Sequence, residues 1–83
     1  MARHDRALEA IFAEPTRANV KWAAIEALFL HLGAAIGEGA GSRIHVELNG
    51  VANVFHKPHP GPHAKKPLVR EVRNFLRRTG YAP

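Results

Sequence analysis

Eighty-three residues allow one domain, near the lower size at which a hydrophobic core alone sustains a fold. Cysteine is absent, which excludes disulfides and thiolate metal sites, and no apolar run approaches the roughly 20 residues of a membrane span. Twelve Lys and Arg against seven Asp and Glu give a formal charge of +5, with the excess gathered from His56 onward, where Glu71 is the one acid; a polyanion is the partner this predicts. The opening MARHDRALEA lacks the charged-then-apolar order of a signal peptide, so a cytoplasmic location is expected.

In DRALEAIFAEP, Leu8, Ile11 and Phe12 recur at helical spacing, with Asp5 as N-cap and Pro15 as stop. VKWAAIEALFLHLG predicts a second helix from Trp22, Ile25, Leu28, Phe29 and Leu32, ended by Gly33. The glycine-rich AAIGEGAG allows at most a short strand. SRIHVELNGVANVFH then alternates, and Asn49-Gly50 is a strong hairpin signal because both central residues of a type I′ turn need positive φ. That two-residue turn pairs Leu48 with Val51, Val46 with Asn53, Ile44 with Phe55, His45 with Val54 and Arg43 with His56. One sheet face is then apolar, and the other carries Arg43, His45, Glu47 and His56. Finally LVREVRNFLRRTGYAP places Leu68, Val72, Phe75 and Leu76 on one helical stripe, with Arg70, Arg73, Arg77 and Arg78 elsewhere and Gly80 at the end. The expected fold is α+β, with helices on one face of a small antiparallel sheet whose other face is open to solvent or ligand.

LFLHLGA, GSRIHVEL, VFHKPHP and VREVRNFLRRTGY, in this order, resemble the HicA toxins of bacterial type II toxin-antitoxin modules. The likeness spans about Trp22 to Tyr81. It implies a single domain over 1–83, in which residues 1–15 are a helical extension and residues 19–81 a HicA-like core. It also implies a double-stranded-RNA-binding-like fold of order α-β-β-β-α. The implied activity is metal-independent cleavage of messenger RNA, held in check by a HicB-type antitoxin protein. One position departs: the family's Gly-Ser-His reads Gly41-Ser42-Arg43 here, so the histidine expected to be catalytic is missing.

RNA cleavage by internal transfer needs a base for the 2′-hydroxyl proton, an acid for the leaving 5′-oxygen and a cation beside the phosphorane. Histidine serves the first two near neutral pH and arginine the third. The predicted register sets Arg43 opposite His56, so His56 ranks first as the displaced proton carrier, His59 second and His45 third. Ser42, Arg43, Lys57, Lys65, Lys66, Arg70 and Arg73 form the expected RNA-contacting set, positioning phosphates without reading sequence. Arg77 and Arg78 fit a solvated helix face equally well. With Phe55 in the core, only Trp22 and Tyr81 remain as stacking platforms, which argues against base-specific readout.

Three of the six histidines, His56, His59 and His63, suggest a zinc site in FHKPHPGPHAKK. Their spacing of three and four converges reliably only on a helix, which Pro58, Pro60 and Pro62 forbid, so neither metal nor other cofactor is expected and His63 is read as incidental. His4 is read as a tail residue, and His31 as a packing or partner-contact residue.

Overall fold

The computed structural model describes residues 3–59 and 61–82; Pro60, one of the three helix-breaking prolines above, lies outside the described residues. The chain runs α1 (Arg3–Phe12), β1 (Val20–Lys21), α2 (Trp22–His31), β2 (Ala35–Glu38), β3 (Arg43–Leu48), β4 (Val51–His56), β5 (His63–Ala64) and α3 (Lys66–Arg78). Strands β2, β3 and β4 form an antiparallel sheet in that order, and β1 pairs with β5 in a separate two-stranded ladder. The architecture is α+β. Among the described residues, no helix is long and apolar enough to cross a membrane.

The β3–β4 hairpin has the register that its turn chemistry predicts, from Leu48↔Val51 through Ile44↔Phe55 to Arg43↔His56. Asn49 and Gly50 both take positive φ, 51° and 78°, as a tight turn matched to strand twist requires. Along β3, burial alternates strictly: Ile44, Val46 and Leu48 are buried, while Arg43, His45 and Glu47 are exposed. The apolar face lies against α2 and α3. Phe55 is the hub of this contact, its ring 5.7 Å from Phe29, 5.5 Å from Phe75 and 6.1 Å from Trp22. Edge-on and offset aromatic contacts of this kind add about 0.5–1.5 kcal/mol each beyond area burial.

Helix α2 ends as its glycine signal predicts. Gly33 has φ 95°, its amide donates to the Leu30 carbonyl at 3.1 Å, and the Ala34 amide donates to Phe29 at 2.9 Å, a Schellman closure that turns the chain into β2. At the other end of α2 no side chain caps the helix. The Pro62 carbonyl accepts the Trp22 amide at 2.9 Å instead, tying the proline-rich stretch to the first turn of α2.

Helix α1 begins two residues before the expected N-cap, so Asp5 sits in its first turn, and His4 is helical rather than tail. The His4 ring stacks on His31 with centroids 4.1 Å apart and planes 11° apart. His31 is exposed, and its contact is this neighbouring imidazole. Ala7 and Ile11 join the main core, so α1 is packed on the domain, against α2 and α3.

Arg73 corrects the expected phosphate-contacting set. Only 6% of it is exposed. Its Nε donates to the Ile11 carbonyl at 3.0 Å, one terminal nitrogen to the Glu14 carboxylate at 3.0 Å, and the other to the Ala13 carbonyl at 3.0 Å and the Thr16 hydroxyl at 3.2 Å. The guanidinium fork thus takes up carbonyls left unpaired at the C-terminus of α1, where a cation is also favoured by the helix dipole. It locks α1 to α3, with four of its five N–H donors engaged within the protein and the side chain buried away from any RNA. The buried stripe of α3 comprises Val69, Val72, Arg73, Phe75 and Leu76, while Leu68 is only half-buried.

Candidate nucleic-acid interface

The face of the three-stranded sheet turned away from the helices is open. It presents Arg43, His45 and Glu47 from β3, flanked by Ala35 and Gly37 on β2 and by Ala52, Val54 and His56 on β4. Ala35, Gly37 and Ala52 are small, which leaves a shallow recess of about 640 Å³ over His45 and Glu47, bordered by Val54. Arg43 and His56 are directly paired at one end of this face. Directly opposed residues have Cβ atoms about 5 Å apart, and diagonal neighbours such as His45 and His56 lie about 7–8 Å apart, so all three side chains can reach one phosphate. The Arg43 Nε donates to the Ala40 carbonyl at 3.2 Å, which holds the guanidinium by the β2–β3 turn while its terminal nitrogens have no protein partner among the described residues.

His45 is held from the side. A Cβ placed on Gly39 would lie 2.6 Å from the His45 Nε2, so the imidazole rests where only a glycine leaves space for it. The Gly39 amide also donates to the Arg43 carbonyl at 2.8 Å, fixing this glycine in the ladder next to the site.

The remaining predicted residues divide. Ser42 and Lys57 extend the hairpin by one step, the Lys57 amide donating to the Ser42 carbonyl at 2.8 Å. Strand alternation turns them off the Arg43–His56 face. Lys57 instead borders a smaller recess with Trp22, Glu26 and Pro62, on the helix side. There the Trp22 indole N–H donates to the Glu26 carboxylate.

His59 also leaves the sheet face. It lines a groove of about 530 Å³ together with Pro58, His63, Lys65, Pro67 and Leu68. Lys66 and Arg70 are exposed one turn apart on α3. Arg77 and Arg78 lie over aromatic rings, at 5.4 Å from the Phe12 centroid and 5.9 Å from the Phe75 centroid, and Arg78 reaches the Asn53 side-chain oxygen at 3.5 Å.

His63, read from sequence as incidental, is placed by a feature with no periodic signal. Val20 and Lys21 pair with Ala64 and His63, and because Ala64 is fully buried, strand alternation turns His63 outward into the groove. Among the described residues, no three His, Cys, Asp or Glu side chains are grouped so as to hold a metal ion. His56 and His59 accordingly stand apart, one on the sheet face and one in the groove.

One titration shift concerns His4, at the α1 end of the domain. Desolvation, then the charges of His31 and Arg3, lower its pKa, against an opposing pull from Asp5. It lies outside the interface.

Compared with known proteins, the chain matches no protein-family model, no curated protein and no solved structure.

Proposed function

We propose that this chain is a HicA-like toxin, an endoribonuclease acting on messenger RNA, whose open sheet face is covered by a HicB-type antitoxin when inactive. The observation that carries the reading is the Arg43↔His56 pair on the open face. It brings a permanent cation and a proton carrier together at the strand end where the family's histidine is replaced by arginine. The order α2-β2-β3-β4-α3, interrupted only by the two-residue β5 that pairs outside the sheet, with both helices against one sheet face, suits the double-stranded-RNA-binding-like arrangement the resemblance implies.

In this reading Arg43 binds the scissile phosphate through its terminal nitrogens. His56 takes the 2′-hydroxyl proton as the 2′-oxygen attacks phosphorus. A second, protonated imidazole gives its proton to the 5′-oxygen as the P–O5′ bond breaks, leaving a 2′,3′-cyclic phosphate and a 5′-hydroxyl. His45 is the better placed donor, since it shares the face with His56 whereas His59 lines the separate groove. Lys65, Lys66 and Arg70 hold flanking phosphates, and no cofactor enters the scheme.

The test is cleavage of RNA by the purified protein in the presence of EDTA. Fragments ending in cyclic phosphate are expected. His56→Ala should lower the rate by about 10²–10⁴-fold, the usual contribution of a positioned acid or base, without changing the melting temperature. Undiminished cleavage by His56→Ala would remove His56 from the mechanism. Salt-sensitive RNA binding without cleavage by the parent would instead favour a non-catalytic RNA- or DNA-binding module, the reading to which the missing Gly-Ser-His histidine points.

A further inference from the structure

We infer that the groove between the exit of β4 and the start of α3 is a nucleotide pocket, which holds one unstacked RNA base between His59 and His63 with its phosphate on Lys65. The inference rests on the RNA-directed reading above and adds to it a site of base selection.

Three properties of the groove point to this occupant. Its walls are Pro58, Pro67 and Leu68, apolar surfaces against which a base plane can lie, and its polar groups are His59, His63 and Lys65, with no carboxylate among its lining residues. Imidazole can both stack on a base and, when neutral, offer one donor and one acceptor to a base edge. A lysine ammonium supplies the point charge for a phosphate. The groove's volume of about 530 Å³ falls within the ordinary range of small-ligand clefts.

The groove is also pre-formed. The Trp22 amide on the Pro62 carbonyl and the Lys21↔His63 and Val20↔Ala64 pairs fix its floor from two sides. The burial of Ala64 sets the direction of His63. Little ordering remains to be done on binding, which favours capture of a single nucleotide.

Position links the pocket to the cleavage face. His59 follows His56 by three residues, so their Cα atoms are separated by at most about 10–11 Å even in a fully extended chain. A strand crossing Arg43 and His56 can therefore place a neighbouring nucleotide in the groove, with Lys66 and Arg70 exposed beyond it. The scarcity of aromatic platforms is met here by imidazole and proline.

The test is titration of the full chain with the four 5′-mononucleotides, their nucleosides, inorganic phosphate and a short single-stranded RNA, followed by imidazole carbon-bound proton resonances. At least one nucleotide should move the His59 and His63 resonances saturably, leave His45 unmoved, and bind more tightly than inorganic phosphate. His63→Ala should weaken that nucleotide about 5-fold, the loss of one net hydrogen bond or stacking contact. Lys65→Gln should weaken nucleotides while leaving nucleosides unchanged, and neither exposed side chain supports the core. If the short RNA binds with the His59 and His63 resonances unmoved and with equal affinity to His63→Ala, the pocket is refuted while the RNA-directed function stands. If phosphate alone reproduces the shifts at equal affinity, base recognition is refuted. If neither nucleotides nor RNA bind at low salt, both readings fall.

Discussion

Arg43 and Arg73 are the same side chain in opposite surroundings. Arg43 stands on an open sheet face with one bond to a backbone carbonyl, and its remaining donors are available to a ligand. Arg73 is buried in α3 and spends its fork on two carbonyls, a hydroxyl and a carboxylate from the end of α1 and the turn that follows. A basic composition therefore does not translate residue by residue into a nucleic-acid surface: in a domain this small, one arginine is part of what holds the fold together. A weaker contrast holds among the exposed cations: Lys66 and Arg70 stand free of any ring among the described residues, whereas Arg77 and Arg78, exposed as well, lie over Phe12 and Phe75.

Exchanging the two roles gives the largest expected effect. Arg73→Met keeps the apolar stem but strands the Ile11 and Ala13 carbonyls, costing on the order of 3 kcal/mol from charged hydrogen bonds lost in a buried setting. For a domain of this size that lowers the melting temperature by at least about 10 °C in a thermal unfolding scan. Arg43→Met should stay within about 0.5 kcal/mol of the parent in the same scan, as surface changes usually do, yet weaken RNA binding and reduce its salt dependence. If Arg73→Met melts with the parent, the α1–α3 lock is not structural; if Arg43→Met binds RNA as the parent does, the sheet face is not the interface. The Glu14 partner matters less, because its side chain is 71% exposed and solvent screens the pair.

A smaller effect sharpens the open-face half of the comparison. Gly39→Ala sets a methyl group 2.6 Å from the His45 Nε2, and the imidazole has to rotate away. The fold should tolerate this, since the displaced atom is the far end of a side chain. Cleavage should fall while the melting temperature holds, and the His45 ring resonances should shift with those of Val54 across the ladder. Unchanged cleavage would take His45 out of the proton-transfer role.

The smallest expected effect concerns the α1 end that Arg73 does not hold. The folded chain lowers the His4 pKa, so the unfolded chain binds a proton there more readily as pH falls below about 6.5. The folded state therefore gains relative stability as pH rises through this window and loses it on acidification, until the pH lies below the folded pKa. His4→Gln should flatten that part of the stability profile measured by denaturant titration, and an unaltered slope would show that the His4–His31 stack does not set it.

Part of the candidate site was legible in the residues because its causes are local. Asn49-Gly50 specifies the turn, and a period of two then fixes every pair from Leu48↔Val51 to Arg43↔His56, since a one-residue slip would turn the apolar set outward. Arg73 was legible too, had the stripe been centred differently. It lies four residues after Val69 and three before Leu76, inside the apolar face, and a stripe drawn from Leu68 hides this.

By itself, then, the sequence determined the hairpin, its register and the glycine-closed end of α2, because alternation, helical period and positive φ act over a few residues. It did not determine the start of α2, since Val20 and Lys21 are a strand. Tertiary structure decided the rest. Two-residue strands carry no period, so only the pairing of Val20 and Lys21 with Ala64 and His63 brings His63 beside His59. And only the arrival of the α1 carbonyls in the core turned Arg73 from a surface charge into a structural one, because a buried guanidinium is tolerated where its donors are met.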